Sequence, residues 1–161
     1  MTIKVGDRIP DVKLQMIAKH GTETVSSADV LGKGRVVLFG VPAAFSPTCS
    51  DRHLPGYVAR SADFLARGVD RIFCVSVNDP FVMAAWGRYQ GVGDKVTLLA
   101  DGNAELARAM GVEIDLAGAG LSVRNKRYAA VLDDGVVTHF ALEEGTGLEV
   151  SAAEQLIEAL A

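Results

Sequence analysis

Cys49 stands three residues after Ser46 and seven after Pro42, in the stretch VPAAFSPTCSDRHLPGY of residues 41–57. A thiol in such a setting can be a nucleophile. Ser46 is of the type that caps a helix, and Pro47 suits the first helical position, where its missing N–H costs nothing. Thr48 and Cys49 then fall at the second and third helical positions. Unpaired N–H groups and the positive end of the helix dipole there favour a thiolate. Lowering a thiol pKa from ~8.5 to ~6 raises the ionised fraction at pH 7 roughly thirtyfold, or about 2 kcal/mol. That is too little for an efficient catalyst unless other groups stabilise charge on a leaving oxygen. Ser46 can cap the helix or turn its hydroxyl toward the sulfur or a substrate oxygen. Pro42 and Pro47 hold the loop's φ angles, so the thiol is placed rather than left to wander. On these residues alone, Cys49 reads either as a nucleophile or as a small packing residue.

Other chemistries have less support. Ser50-Asp51-Arg52 follows the cysteine, so there is no CxxC for thiol–disulfide exchange. A phosphatase-like Cys-x5-Arg fails at Pro55, and the two short glycine pairs meet Val37 and Val123 where a third glycine belongs. No HExxH or paired CxxC suggests a metal site, and no cofactor is expected. His20, His53 and His139 lie far apart in sequence, so a cysteine–histidine hydrolase stays open without being favoured. Cys74, in IFCVSV, shares a strand face with Ile72 and Ser76 and reads as a core residue, with a resolving or regulatory role as the alternative.

The surrounding pattern must position these groups. RVVLFGV (35–41) is an apolar run of strand length, suited to burial on both faces, and DRIFCVSV (70–77) is a second. NDPFVMAAWGRY opens a helix with Asp79 as cap and Pro80 at its first position. KVTLLAD and NAELARAMG add a strand and a helix. Residues 126–142 read as two strands joined through Asp133-Asp134-Gly135. SAAEQLIEALA carries a Ser151/Glu154 capping box, and IPDVKLQM reads as an N-terminal strand followed by a turn. Pro55 predicts a kink or local irregularity in the helix after Cys49. A βαβ unit joined to a ββα unit is the thioredoxin-like arrangement, an α/β fold with a central mixed β-sheet flanked by helices. In it the loop after the first core strand holds the redox cysteine.

The 161 residues suit one domain over 1–161. A formal charge of −4 with scattered basic residues argues against nucleic acid or an anionic membrane as partner. Charges at positions 4, 7 and 8 and the lack of a long apolar stretch predict a cytoplasmic protein with neither signal peptide nor membrane span. In a reducing compartment two cysteines are not expected to form a structural disulfide.

FGVPAAFSPTCSDRHLPGY resembles the signature of the type II peroxiredoxins, the peroxiredoxin-5-like class, which runs close to FGVPGAFTPTCS..HLPGF. The likeness extends through KVGDRIPDV, VSVNDPFVMAAWGR, LLADGNAELARAMG, RNKRYAAVLDDG and EEGTGLEVSAAEQL, nearly the whole chain. It implies a thioredoxin-like fold with peroxiredoxin-type insertions and a peroxidase acting on hydrogen peroxide and small organic hydroperoxides. Cys49 would be the peroxidatic thiolate and Ser46 would hydrogen-bond the peroxide. The Cys49 N–H would help to hold its oxygens, Pro42 would shield the site, and Arg127 would polarise the peroxide and stabilise the thiolate. Ser46 replaces the usual Thr, and Ala43 the usual Gly. Val150 stands where relatives with an intramolecular disulfide carry the resolving cysteine, so the cycle is expected to be one-cysteine. Its partners would be the peroxide and an external thiol, glutathione with glutaredoxin or thioredoxin. A homodimer through the active-site end is expected, with Phe45, Phe81 and Trp86 as apolar contacts. Arg124 reads as a solvated surface cation, with a second cation near the site as the alternative, and His53 as a packing or capping residue beside the kinked helix, with an influence on the active site as the alternative.

Overall fold

Apolar runs with no polar alternation become the middle of a sheet covered on both sides. A computed structural model describes residues 1–160. In chain order it holds β1 (Lys13–Ala18), β2 (Gly21–Ser26), α1 (Ser27–Leu31), β3 (Arg35–Gly40), α2 (Leu54–Ala59), α3 (Ser61–Ala66), β4 (Arg71–Ser76), α4 (Pro80–Gln90) and β5 (Thr97–Ala100). There follow α5 (Glu105–Met110), β6 (Glu113–Asp115), β7 (Val123–Asn125), β8 (Tyr128–Asp133), β9 (Val136–Leu142) and α6 (Ala153–Ala159). Seven strands make one mixed sheet in the order β2-β1-β5-β4-β3-β8-β9, with β3, β4 and β5 parallel and the rest antiparallel.

The strand period of two divides the core. Val37 and Phe39 of β3, Cys74 of β4 and Val131 of β8 face one side, where Tyr57, Phe64, Met83, Trp86 and Leu156 cover them from α2, α3, α4 and α6. Val36 and Leu38, Phe73 and Val75, Ala130 and Leu132 face the other, against Leu31, Leu106 and Met110 of α1 and α5. The central mixed sheet flanked by helices is therefore the architecture expected.

Local signals hold where side chains act on their own neighbourhood. The Asp79 carboxylate accepts the Val82 N–H at 2.9 Å and caps α4. Asp134 and Gly135 both take positive φ, +47° and +83°, and close the β8–β9 hairpin. Other signals were overridden or absent. β2 and the small β6–β7 hairpin extend beyond the expected elements. The Ser151/Glu154 capping box does not form: α6 is capped by Ala152 without a side-chain bond, and the Ser151 hydroxyl is held by Glu143.

The end of β3 is built for close approach. A Cβ on Gly40 would meet the Tyr128 ring at 2.4 Å and the Asn125 amide nitrogen at 2.9 Å. With no side chain there, Asn125 reaches over to donate to the Val41 carbonyl at 3.1 Å. The loop leading to Cys49 is thus tied down at its first residue.

Candidate active site

The loop between β3 and the following helix is held at several points. The Ala44 N–H donates to the Asn78 side chain at 3.0 Å, and Pro42 is buried. Phe45 sits in the left-handed region at φ +68°, a conformation a non-glycine residue keeps only when its surroundings impose it. The helical run starts at Pro47 as expected, but Ser46 does not cap it with its side chain. Its hydroxyl donates to the Ala43 carbonyl at 2.7 Å. The proton is thereby engaged inside the loop, and the oxygen's lone pairs are what Ser46 offers to an incoming group.

Cys49 opens a π-helical turn, Cys49–His53, in which the Leu54 N–H reaches back five residues to the Cys49 carbonyl. Pro55 accounts for it. A proline has no N–H to give and its ring presses on the carbonyl four residues earlier, here that of Asp51. One extra residue in the turn relieves both problems, and such turns recur at functional sites. The Ser50 hydroxyl accepts from the Trp86 indole N–H at 3.0 Å, which pins the turn to α4. The Cys49 N–H itself finds no backbone acceptor among the described residues.

Arg127 arrives from the short link between β7 and β8. Its Nη2 donates to Cys49 Sγ at 3.3 Å, while Nη1 donates to His53 Nδ1 at 3.0 Å. The fork thus spans the thiol and the imidazole. All three side chains are buried, with Arg127 only 2% exposed. Arg127 Nε is buried without a partner among the described residues, so the guanidinium keeps one donor in reserve. On its other edge His53 Nε2 donates to the Ser151 carbonyl at 3.0 Å, which also accepts the Tyr57 hydroxyl at 2.7 Å. A carbonyl accepts and a guanidinium donates, so the imidazole is neutral with its proton on Nε2.

Of the two readings of His53, the structure favours the less expected: it is one of the two anchors of Arg127. The signal was present in its spacing, since residues i and i+4 on a helix lie on one face. Burial, aided by the Arg127 charge, lowers its pKa from 6.5 to about 3. Between those values the unfolded chain binds the proton and the folded one does not. Stability is therefore complete above pH 6.5 and falls as the pH drops toward 3, at up to ~1.4 kcal/mol per pH unit. Denaturant unfolding of the wild type and His53→Gln at pH 7, 5 and 4 checks this. The variant should lose less stability over that range, and parallel losses would contradict the assignment.

The other expected residues separate. Arg124 is not a free surface cation: its guanidinium donates to the Leu121 and Val77 carbonyls, both at 2.7 Å, and ties two loops together. Trp86 is fully buried and cannot be an interface contact, whereas Phe45 and Phe81 are exposed and Phe45 lies against exposed Tyr89. Cys74 is buried on β4. Burial pushes its thiol pKa well up, and the neighbouring Cys49 pushes the same way, so Cys74 stays protonated. A groove of about 960 Å³ lined by Ile17, Arg71, Arg88 and Leu98 lies elsewhere and includes none of these groups. The Cys49 thiol itself is fully buried.

A cation fixed against a buried sulfur stabilises the thiolate and any negative charge that develops beside it. A family model described as Redoxin matches residues 4–157. Peroxiredoxin-2E-2, a chloroplastic protein of Oryza sativa subsp. japonica, is 50% identical over 164 residues, covering 99% of this chain and 73% of that protein. Peroxiredoxin-2B of Arabidopsis thaliana is 42% identical over 98% of both chains. Among solved structures, the reduced Prx3 of Vibrio vulnificus in complex with hydrogen peroxide matches with a TM-score of 0.94 and 42% identity, covering 99% of this chain and 100% of that one.

Proposed function

The chain belongs to the redoxin family as a type II peroxiredoxin, a thiol-dependent peroxidase, and from that premise we propose that Cys49 is its peroxidatic thiolate in a one-cysteine cycle. The thiolate attacks one oxygen of the peroxide and the S–O bond forms as the O–O bond breaks. The departing oxygen takes a proton and leaves as water or an alcohol, and Cys49 becomes a sulfenic acid. One external thiol then displaces water to give a mixed disulfide. A second thiol releases the reduced enzyme and carries away the disulfide.

The observation that supports this reading best is the 3.3 Å contact between Arg127 Nη2 and Cys49 Sγ, made by residues 78 positions apart. Arg127 cannot lose its proton, so it favours the thiolate before attack and the leaving oxygen during it. The Cys49 N–H and the unpartnered Arg127 Nε are donors for the peroxide oxygens. Ser46, its O–H donated to the Ala43 carbonyl, accepts the peroxide O–H through its oxygen. Pro42 closes the loop over the sulfur, and the tight enclosure favours hydrogen peroxide and small hydroperoxides. Exposed Phe45 and Phe81 support a homodimer through this end of the molecule.

Purified protein assayed for hydrogen peroxide consumption with glutathione/glutaredoxin and with thioredoxin in parallel tests the cycle. Turnover with at least one external system is expected, with mass spectrometry finding sulfenic acid or a mixed disulfide on Cys49. A Cys49–Cys74 disulfide as the main oxidised product would sink the one-cysteine scheme. Sedimentation of the same preparation should give a dimer, and a monomer would remove that assignment.

A further inference from the structure

Glu143 follows β9 directly, and its N–H donates to the Arg127 carbonyl at 3.0 Å, so the two are cross-strand neighbours just past the Tyr128–Leu142 pair. Its side chain is buried, and one oxygen, Oε2, gathers four donors. The N–H groups of Glu149, Val150 and Ser151 reach it at 2.9, 2.9 and 2.8 Å, and the Ser151 hydroxyl at 2.7 Å. Successive N–H groups turned onto one anion form a nest. Burial works against the charge, yet the Ser151 hydroxyl and the three N–H groups hold the carboxyl below its ordinary range.

The nest decides where the next carbonyl points. With its N–H and hydroxyl both on Glu143, Ser151 presents its carbonyl to His53 Nε2 and the Tyr57 hydroxyl. That carbonyl demands a proton on Nε2, which leaves the Nδ1 lone pair for Arg127 Nη1. We infer that Glu143 is a positioning residue for the peroxidase reaction, acting through Ser151 and His53 to hold the Arg127 fork on Cys49. The inference rests on the pairing of Arg127 with the Cys49 thiolate proposed above. Where an amide replaces the carboxylate, a neutral oxygen holds the three N–H groups and the Ser151 hydroxyl more weakly, and the Ser151 carbonyl is free to turn. An imidazole protonated on Nδ1 would then set one N–H against another, and the guanidinium would swing off the sulfur.

The sign of the effect separates this role from two simpler ones. A carboxylate acting only through space disfavours the thiolate, so removing it would lower the pH at which Cys49 reacts. A carboxylate that only braces the loop would change thermal stability and leave that pH alone. A positioning role raises it.

The full chain carrying Glu143→Gln, in the reduced state, is alkylated with iodoacetamide across the pH range, and the His53 imidazole nitrogens are observed by ¹⁵N NMR. The alkylation profile should move to higher pH, and kcat/KM for hydrogen peroxide should fall about 3–10-fold. The His53 signals should change from a single Nε2–H form to a mixture of tautomers. In a His53→Gln background the same substitution should add little further, because the route through the imidazole is already cut. A lowered or unchanged midpoint with the wild-type tautomer overturns the inference. Should Glu143→Gln fail to fold, Ser151→Ala removes one of the four donors and is read the same way, with smaller shifts in the same directions. The tautomer is measured without reference to peroxide or to the Cys49–Arg127 contact, so a failure of that pairing and a failure of Glu143 are told apart.

Discussion

Cys49→Ser protein should consume hydrogen peroxide no faster than a buffer blank, whereas Cys74→Ser should keep most of the wild-type rate. The asymmetry follows from placement. Cys49 has a cation on its sulfur and an unpaired N–H on its own backbone, both of which favour a negative nucleophile. A serine hydroxyl there stays protonated, and the O–O bond meets no thiolate. Cys74 lies in the middle of β4 between Phe39 and Leu98, with burial holding it as a neutral thiol. Serine in its place buries a hydroxyl, which costs about 1–3 kcal/mol. For a chain of this size that lowers the melting temperature by roughly 2–12 °C without touching the chemistry. Initial rates at saturating reductant, with melting curves for all three proteins, provide the check. If the Cys74 variant is as inactive as the Cys49 variant, Cys74 takes part in the cycle and the external thiol does not act alone.

How far this site can be read before folding depends on the range over which each residue acts. β3, β4 and β5 are continuous apolar runs, and the Asp134-Gly135 turn needs nothing beyond its own φ angles, so their patterns are legible locally. Ser46, Pro47 and Cys49 likewise lie within one helical start, although the Ser46 hydroxyl turned to Ala43 rather than to the helix. Arg127 was placed at the thiol by resemblance alone; 78 residues of intervening chain have to fold before the two meet. Pro55 announced an irregularity, but not that a π turn would absorb it. Ser151 and Glu154 have the spacing of a capping box, and a buried carboxylate from another strand captured Ser151 instead. Trp86 reads as an exposed aromatic only until Ser50 and the sheet enclose it. The misses at Ser151 and Trp86 are long-range closures overriding a local preference.

Arg127→Met should slow peroxide attack about 10²–10³-fold, the loss associated with one preorganised donor to developing charge. Alkylation of Cys49 should also slow at a given pH, because the cation beside the sulfur is gone. Stability should move far less. The substitution removes a buried guanidinium with one donor unsatisfied, and exchanging a buried charge for a well-packed apolar side chain is often neutral or favourable. Against that, His53 Nδ1 loses its donor, at a cost of about 1–3 kcal/mol. The two effects oppose each other, so melting temperature and rate should part company. Arg127→Lys sharpens the point. It restores the charge but not the fork, and a single ammonium cannot hold both Sγ and Nδ1 in the geometry of two parallel N–H groups. Lysine should therefore recover much of the alkylation rate and only part of the peroxide rate. A rate that tracks the charge completely would reduce Arg127 to a point charge, and an alkylation profile unchanged in Arg127→Met would remove it from the site.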